Sequence, residues 1–315
     1  MKLLADMKIL VTGGAGFVGS NLVENLVGQN IKIIILDDLF TGRIENLPKS
    51  NLIEFVKGSV VDEELVKKLV KEVDLVFHLA ARNIVVSTKD PKQDFAVNIG
   101  GTLNILLAAR EKRIKVVYTS STSIYGNPRY LPINEDDGIN PLSPYSTSKL
   151  AGENYCLSFY ESYGLPTAVV RYSNIYGKNQ SPDNVYCGVV SKFFDWVMKG
   201  QAPQIHGDGE STRDFTYVTD AVEATILAGE KDKSDGKVYN VGTGIETTIN
   251  QLVNKIIKMY KSNIKPTYID RRDVDNIRRR VCNIERIRKE LRWIPKITID
   301  RGLELTKEWL EKKRS

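Results

Sequence analysis

Tyr145 and Lys149 are the residues whose types and spacing most clearly suggest chemistry. Ser143-Pro144 before them is a good helix start, because serine caps helices and proline suits the first helical position. On that helix, Tyr145 and Lys149 stand four residues apart on one face. A nearby ammonium group, together with the cation of a bound cofactor, would stabilise a phenolate and lower its pKa from about 10. The pair therefore predicts a tyrosine that acts as a general base, although Y-x-x-x-K spacing alone is common.

Hydroxyl side chains crowd the end of a predicted strand over Val116–Ser120. The segment Thr119-Ser120-Ser121-Thr122-Ser123 is a continuous run of them. Such hydroxyls can hydrogen-bond a reacting alcohol or carbonyl oxygen. Without the tyrosine downstream, a turn rich in serine and threonine would be the simpler interpretation.

A glycine-rich loop lies between a predicted strand, Lys8–Thr12, and a predicted helix, Gly16–Val27. Glycines let the turn tighten and let a pyrophosphate approach the N–H groups at the helix N-terminus. A glycine motif alone is weak evidence, but here the strand and the helix stand on the correct sides of it. The loop predicts a dinucleotide site whose binding residues are Gly13, Gly16, Phe17, Val18 and Gly19.

Asp37-Asp38 follows the second predicted strand, Ile31–Leu36, and Asp37 lies 18 residues after Gly19. This is near the offset at which an acidic residue binds the adenosine ribose of a dinucleotide. A carboxylate there accepts hydrogen bonds from ribose hydroxyls and repels a 2′-phosphate. The predicted cofactor is therefore NAD, bound by Asp37 and Asp38. Because Arg43 is nearby in the sequence, NADP is not excluded as an alternative cofactor.

These residues must be positioned by apolar strands that alternate with helical patterns. The alternation predicts an α/β fold with a doubly wound parallel sheet of the Rossmann type and ligands at the C-terminal strand ends. After residue 173 the pattern loosens, which predicts an NAD-binding domain over 1–173 and a smaller α/β substrate lobe over 174–315, with some chain crossing back. The other predicted strands are Leu52–Val56, Leu75–Leu79 and Thr167–Tyr172, and the other helices are Glu63–Lys71, Gly101–Lys112, Ile249–Lys261 and Gly302–Lys313.

Composition limits the possible classes of function. The 315 residues are 42% hydrophobic and 27% charged, which is ordinary for a globular protein. No apolar run approaches the roughly 18 residues of a transmembrane helix, and the N-terminus lacks a signal-peptide pattern. We therefore expect a cytoplasmic protein without a membrane partner.

Metal and nucleic-acid partners are not expected either. The three cysteines, Cys156, Cys187 and Cys282, are far apart, and only two histidines are present, so free thiols and no metal site are predicted. The net charge is +6, and residues 250–315 hold 19 basic against 9 acidic residues. The basic run at 278–280 fits a solvated helix face, a site for a phosphorylated small molecule or a nucleic-acid patch, but no nucleic-acid-binding module is visible.

The combined pattern resembles the extended short-chain dehydrogenase/reductase superfamily and, within it, the nucleotide-sugar epimerase/dehydratase group. The resemblance covers nearly the whole chain. Besides the segments above, it rests on His78-Leu79-Ala80-Ala81, Asn98-Ile99-Gly100-Gly101-Thr102, Arg171-Tyr172-Ser173-Asn174-Ile175-Tyr176-Gly177, Gly207-Asp208-Gly209, Thr212-Arg213-Asp214-Phe215 and Tyr239-Asn240-Val241-Gly242.

The resemblance implies roles for individual residues and a homodimer formed through a helix pair. Tyr145 would be the catalytic acid/base, Lys149 would bind the nicotinamide ribose, and Ser121 would hydrogen-bond the sugar 4-oxygen. Further implied contacts are Asp37, Ala80 and Ala81 for the cofactor, Asn174 and Arg213 for the substrate diphosphate, Gln204 and Ile205 for the base, and Arg278 or Arg272 for a phosphate.

Thr122 and Ser123 narrow the choice of reaction. The group's 4,6-dehydratases carry an Asp-Glu pair directly after the residue that matches Ser121, and its decarboxylases usually carry a Glu in this region. Neither the Asp-Glu pair nor the Glu is present at these positions, which favours C4 epimerisation of a UDP-hexose such as UDP-glucose or UDP-galactose. The reaction would pass through a 4-keto sugar, with reversible hydride transfer to NAD. Another nucleotide-sugar enzyme, such as a UDP-glucuronate 4-epimerase, a dehydratase or a reductase, stays open, as does a non-catalytic dinucleotide-binding regulator.

Arg280 stands 13 residues before Trp293, where related epimerases place a residue that faces the sugar. Because arginine is large, UDP-N-acetylhexosamines are expected to be poor substrates. Its guanidinium suits carboxylates, which makes UDP-glucuronate a candidate beside UDP-glucose. The alternative is that Arg280 turns to solvent with Arg279.

Overall fold

The computed structural model describes residues 7–183, 188–271 and 277–314. Its strands, numbered along the chain, are β1 (Lys8–Thr12), β2 (Lys32–Asp37), β3 (Ile53–Lys57), β4 (Leu75–His78), β5 (Lys115–Ser121), β6 (Thr167–Tyr172), β7 (Asn174–Tyr176), β8 (Gln204–His206), β9 (Thr212–Arg213), β10 (Phe215–Tyr217), β11 (Lys237–Val241), β12 (Thr247–Thr248) and β13 (Thr267–Ile269). The main sheet has the strand order β11-β6-β5-β4-β1-β2-β3, and its neighbouring strands are parallel. Three small two-stranded sheets, β10-β7, β12-β9 and β13-β8, belong to the later part of the chain.

Helices cover both faces of this main sheet. They are α1 (Phe17–Gly28), α2 (Glu63–Val70), α3 (Ile84–Lys89), α4 (Pro91–Asp94), α5 (Gly101–Lys112), α6 (Pro144–Tyr163), α7 (Val189–Met198), α8 (Val218–Glu230), α9 (Ile249–Met259), α10 (Glu285–Leu291) and α11 (Ile299–Arg314). A π-helical segment, Phe95–Gly100, joins α4 to α5.

Burial on two faces explains why the central strands are apolar along their whole length. In β1, Ile9 and Val11 belong to one hydrophobic cluster together with side chains of α1 and α8. Leu10, between them, belongs to a second cluster with side chains of α2, α5 and α6. Parallel strands buried in this way read as continuous apolar runs, which is the pattern on which the sheet was predicted.

The predicted α/β fold with a doubly wound parallel sheet is confirmed. Strands β1 and β6 and helix α5 have the predicted bounds, and the other predicted elements differ from the observed ones by one to three residues at their ends. The chain also crosses back after residue 173, because β11 pairs with β6 and completes the main sheet. The boundary between the two domains stays a prediction.

Within the described residues, no helix is long and apolar enough to cross a membrane. Cys156 and Cys282 are buried and form no disulfide, while Cys187 lies outside the described residues.

Candidate active site

The glycine loop forms a tight turn at the C-terminal edge of the sheet. Gly13 has a φ of +69°, and a Cβ there would lie 2.8 Å from the backbone nitrogen of Ala80. A Cβ on Gly19 would lie 2.1 Å from the carbonyl oxygen of Gly13, so only glycine lets α1 approach the loop this closely. The first turn of α1, with Phe17 and Val18, thus opens onto the loop. This cradle fits a pyrophosphate, which binds the N–H groups of a helix N-terminus.

Asp37 ends β2 beside this loop. Its carboxylate accepts hydrogen bonds from the N–H groups of Ala15, at 2.9 Å, and Leu39, at 2.8 Å. Burial raises the pKa of Asp37, and the two hydrogen bonds oppose that rise. Because a carboxylate has about four lone-pair directions, it retains acceptor capacity for ribose hydroxyls. The residues at this end therefore fit the adenosine half of NAD.

Asp38 has a further partner that the sequence did not reveal. Arg82 donates to Asp38 at 2.6 Å, and its guanidinium stacks on the Phe40 ring at 4.1 Å from the ring centroid. Arg82 is itself almost fully buried. The ion pair therefore joins the loop after β2 to the loop after β4 at the cofactor side of the site.

A single cavity of about 410 Å³ brings the predicted cofactor and catalytic residues together. It runs from the glycine loop and Asp37, past Ala80 and Ala81, to the catalytic pair. Its wall includes every residue predicted for the cofactor, namely Gly13, Gly16, Phe17, Val18, Gly19, Asp37, Asp38, Ala80, Ala81, Tyr145 and Lys149, and also Ser121. Ser59 and Tyr172 line it as well, and so does Arg82, which was missed because no motif singles it out.

Helix α6 carries Tyr145 and Lys149, and its start is firmly capped. The Ser143 hydroxyl accepts from the N–H of Ser146 at 3.2 Å, and the Ser146 hydroxyl accepts from the N–H of Ser143 at 3.0 Å. Pro144 occupies the first helical position. This reciprocal cap fixes the turn in which Tyr145 lies.

The electrostatics of Tyr145 differ from the prediction. Burial raises its pKa, while a hydrogen bond with the Ser121 hydroxyl lowers it; the charge of Asp94 raises it and that of Arg280 lowers it. The net direction is upward, so the lowered pKa expected from Lys149 is wrong for the protein by itself. Ser121 and Tyr145 are distant in sequence but line the same cavity, and their catalytic roles stay predictions.

Lys149 is buried beneath Tyr145 on the same helix. Its Nζ lies 4.4 Å from the centroid of the Tyr118 ring. Burial lowers the pKa of Lys149 to about 8, and the charges of Asp94 and Glu153 oppose the fall. The ammonium form therefore predominates at neutral pH and is lost as the pH rises above about 8.

A buried chain of hydrogen bonds places Ala80 at the cavity wall. The Ala80 N–H donates to the Thr12 hydroxyl at 3.2 Å, and that hydroxyl lies 2.7 Å from Nδ1 of His78. Nε2 of His78 lies 3.0 Å from the Thr102 hydroxyl, which donates to the Asn98 carbonyl at 2.6 Å. Since each hydroxyl has one proton, Thr12 donates to Nδ1 and Nε2–H donates to Thr102, which assigns the neutral Nε2–H tautomer. Burial lowers the pKa of His78 to about 3, consistent with a structural histidine.

The turn after Ser121 is braced from behind by a buried polar network. The Tyr125 hydroxyl donates to Oδ1 of Asn240 at 2.7 Å and accepts from Arg171 at 2.5 Å. Arg171 also forms a buried ion pair with Glu153, one turn after Lys149 on α6. The network therefore connects the hydroxyl segment to the catalytic helix through the core.

The residues predicted for the nucleotide sugar are spread over the later part of the chain. Asn174 is half-buried beside Ser173 and Ile175, which line the cavity. Gln204 is exposed and Ile205 buried, both on β8. Arg213 is buried and donates to the carbonyl oxygens of Thr212 and Ile277, at 2.8 Å each.

The three consecutive arginines point in different directions. Arg278 is exposed and donates to both carboxylate oxygens of Asp208, at 2.7 and 2.8 Å. Arg279 is also exposed and pairs with Glu246. Arg280 is 5% exposed, and its charge lowers the pKa of Tyr145, so the expectation that it could turn to solvent with Arg279 is wrong. Arg272, the other phosphate candidate, lies outside the described residues.

Comparison with known proteins identifies the family. The profile of the family described as GDP-mannose 4,6 dehydratase matches residues 10–306. The chain belongs to this family of extended short-chain dehydrogenases/reductases. A UDP-glucose 4-epimerase of Mycolicibacterium smegmatis is 38% identical and covers 98% of this chain and 99% of its own. Relatives at 33–34% identity include a dTDP-D-glucose 4,6-dehydratase of Bos taurus and a UDP-N-acetyl-alpha-D-glucosaminuronate decarboxylase of Bacillus cytotoxicus.

Solved structures of family members share the whole fold. The UDP-glucose 4-epimerase of Thermotoga maritima with UDP-glucose has a TM-score of 0.94 and 36% identity, covering 98% of this chain and 100% of its own. The UDP-N-acetylglucosamine 4-epimerase of Methanobrevibacter ruminantium, in complex with UDP-N-acetylmuramic acid, has a TM-score of 0.93 and 34% identity, covering 98% and 99%. The UDP-glucose 4-epimerase of Thermus thermophilus, in complex with NAD, has a TM-score of 0.89 and 34% identity, covering 97% and 99%. The predicted NAD cofactor and the predicted nucleotide-sugar epimerase/dehydratase group are thus confirmed.

Proposed function

We propose that this family member catalyses NAD-dependent C4 epimerisation of a UDP-hexose of the UDP-glucose/UDP-galactose type. The observation that carries the proposal is that Ser121 and Tyr145 line the same dinucleotide cavity, where the Ser121 hydroxyl acts to lower the pKa of Tyr145. The two residues after Ser121, Thr122 and Ser123, are buried and carry no carboxylate. One acid/base with one hydroxyl partner is sufficient for epimerisation, which adds and removes no atoms.

Each residue of the proposed site has a task that its position supports. Ser121 hydrogen-bonds the sugar 4-oxygen, and Tyr145 accepts the 4-hydroxyl proton and later returns it. The buried Lys149 ammonium stabilises the Tyr145 phenolate formed in this exchange. When bound, NAD supplies a reversible acceptor for the hydrogen and electron pair at C4. The proposed turnover leaves both the substrate mass and the NAD unchanged.

A UDP-glucuronate 4-epimerase is the second candidate, and Arg280 favours it. Arg280 is buried and its charge acts on Tyr145, so a permanent cation would stand near a sugar that reacts at that tyrosine. A guanidinium is well suited to a carboxylate, such as the one at C6 of a uronic acid. Both candidates use the same proton chemistry at C4 and differ only in the substituent that Arg280 would face.

The reaction is tested by incubating the NAD-loaded protein with UDP-, GDP- and dTDP-sugars. A product of unchanged mass with a different sugar identity supports an epimerase, and the preferred donor decides between glucose and glucuronate. Loss of water would mean a dehydratase, and loss of carbon dioxide a decarboxylase. The absence of any product from a protein that retains NAD would favour a binding protein without catalysis.

We also propose that the protein acts as a homodimer through the outer surface of α5 and the segment before it. Phe95, Ile99, Leu103 and Leu107 follow one another at four-residue intervals along this surface. Phe95 is 63% exposed, and the other three are half-buried. A continuous apolar stripe on a helical surface is best explained by a partner that covers it.

A further inference from the structure

Asp94 is a buried carboxylate that the proposed chemistry does not use. It is 3% exposed at the end of α4. Its Oδ1 accepts hydrogen bonds from the hydroxyls of Ser87, at 2.5 Å, and Ser148, at 2.9 Å, and from the Asn98 amide at 2.6 Å. Among the described residues, no lysine or arginine lies within ion-pair distance of it. Burial raises the pKa of Asp94, and the three hydrogen bonds oppose that rise because they suit the ionised carboxylate, which only accepts hydrogen bonds.

Ser148 links this carboxylate to the catalytic turn. It directly precedes Lys149 and lies three residues after Tyr145 on α6. Its hydroxyl lies 3.0 Å from the Tyr145 carbonyl as well as 2.9 Å from Asp94. Asn98, the third donor to Asp94, also donates to the Ser148 hydroxyl at 3.1 Å. Asp94 thus lies directly behind the turn that presents Tyr145 and Lys149 to the cavity.

The titratable groups around Lys149 differ in whether they carry an unbalanced charge at neutral pH. The titratable groups around Lys149 come from α4, α6, β4 and β5 and are Asp94, Glu153, Cys156, His78 and Tyr118. Burial raises the pKa of Tyr118, which is therefore neutral at neutral pH. Glu153 is already paired with Arg171. Burial raises the pKa of Cys156 and lowers that of His78, so both are neutral at neutral pH. Asp94 is therefore the carboxylate whose charge is not balanced by a neighbouring guanidinium.

We propose that Asp94 is a positioning residue for the catalytic pair: it anchors their helical turn through Ser148, and its negative charge keeps the Lys149 ammonium protonated. The proposal rests on the proposed roles of Tyr145 and Lys149. The direction of the electrostatics agrees with it, because the charge of Asp94 raises the pKa of Lys149, which burial lowers to about 8. The same charge raises the pKa of Tyr145. Removing the charge of Asp94 should therefore lower the pKa of both Lys149 and Tyr145.

The test replaces Asp94 by asparagine in the full-length, NAD-loaded protein. Turnover is measured across the neutral and alkaline range with the sugar nucleotide that the wild type converts. In Asp94→Asn, the loss of activity at alkaline pH should begin at a pH lower by about one unit, because Lys149 loses its proton earlier. A second readout needs no turnover: the phenolate absorbance of Tyr145, obtained by subtracting the signal of the same variant with Tyr145→Phe, should also titrate at lower pH.

Two control variants separate the effect of the Asp94 charge from that of local structure. Ser87→Ala removes one hydrogen bond to Asp94 but no charge, and Glu161→Gln removes an exposed charge elsewhere on α6; neither should shift the alkaline limb. If Ser87→Ala shifts it as far as Asp94→Asn, or if Asp94→Asn gives the wild-type profile, the proposal is wrong. Should Asp94→Asn not fold, the smaller Asp94→Ser is measured instead. An inactive wild type with the expected phenolate shift would count against the proposed function and leave the role of Asp94 supported.

Discussion

At the scale of single residues, Tyr145 is the most direct test of the proposed chemistry. Tyr145→Phe removes the one hydroxyl that exchanges a proton with the sugar and leaves the ring in place. Turnover should fall by roughly 10²–10⁴-fold, the usual contribution of a general acid/base. Retention of NAD and the melting temperature should stay close to those of the wild type. Tyr163→Phe, near the end of the same helix and 50% exposed, is the matched control. Near-normal turnover of Tyr145→Phe would refute the mechanism.

Arg280 leads to a prediction about substrate choice. A large buried side chain near Tyr145 should exclude the N-acetyl group of UDP-N-acetylglucosamine, and a smaller one should admit it. The ratio of kcat/KM for this sugar to that for UDP-glucose should therefore rise in Arg280→Ser, while the ratio for UDP-glucuronate should fall. Arg279→Ser, at the exposed neighbour, should change neither ratio. A wild type that already prefers the N-acetyl sugar would remove Arg280 as a size gate.

At the scale of elements, His78 connects β4 to β1 and α5 and gives a prediction about acid stability. Its pKa is about 3 when folded and about 6.5 when unfolded, so the unfolded chain binds more protons between these values. The free energy of unfolding should therefore fall with decreasing pH, and His78 contributes up to about 1.4 kcal/mol per pH unit within that window. His78→Gln should be less stable at neutral pH but show a smaller slope, measured by denaturant unfolding at several pH values. His206→Gln, at the exposed histidine, should keep the wild-type slope; an unchanged slope in His78→Gln would disprove the assignment.

The elements that the sequence predicted well are those with a clear period or a local signal. Strands β1 and β6 are continuous apolar runs, and α6 has its Ser-Pro start. Helix α8 was missed because most of its residues are buried, so it lacks the alternation of apolar and polar faces that marks a surface helix. Strand β11 was recognised only as a motif, since its pairing with β6 depends on a chain crossing that no local pattern encodes.

The parts of the site that could be predicted are also those with a fixed local pattern. Gly13, Asp37 and Tyr145 stand at fixed positions relative to strands and helices, and the structure brings all three to one cavity. Asp94 could not have been found, because its three donors come from separate segments and it carries no motif. In the protein by itself the pKa of Tyr145 is raised rather than lowered, because burial, which is not visible in the sequence, is the largest influence on it.

At the scale of the whole molecule, the apolar stripe on α5 and the segment before it predicts the oligomeric state. If two copies meet through Phe95, Ile99, Leu103 and Leu107, the mass in solution should be that of a dimer, and the melting temperature should rise with protein concentration. Phe95→Glu places a charge in the centre of the proposed contact. Because Phe95 is 63% exposed in the single chain, this change should dissociate the dimer without unfolding the subunit.

Light scattering and the dependence of the melting temperature on protein concentration test whether the protein is a dimer. Ile294→Glu, at a 53% exposed isoleucine in the segment after α10, is the matched control and should remain dimeric. Dissociation of the dimer should also affect the active site, because Asp94 and Asn98 are sequence neighbours of Phe95 and Ile99 in the stripe. Asp94 and Asn98 hydrogen-bond the Ser148 hydroxyl behind the catalytic pair. We therefore expect Phe95→Glu to lose activity in parallel with dimer dissociation. A wild type that is monomeric at all concentrations would contradict the predicted dimer, and a fully active monomer of Phe95→Glu would show that the catalytic turn needs no support from a partner.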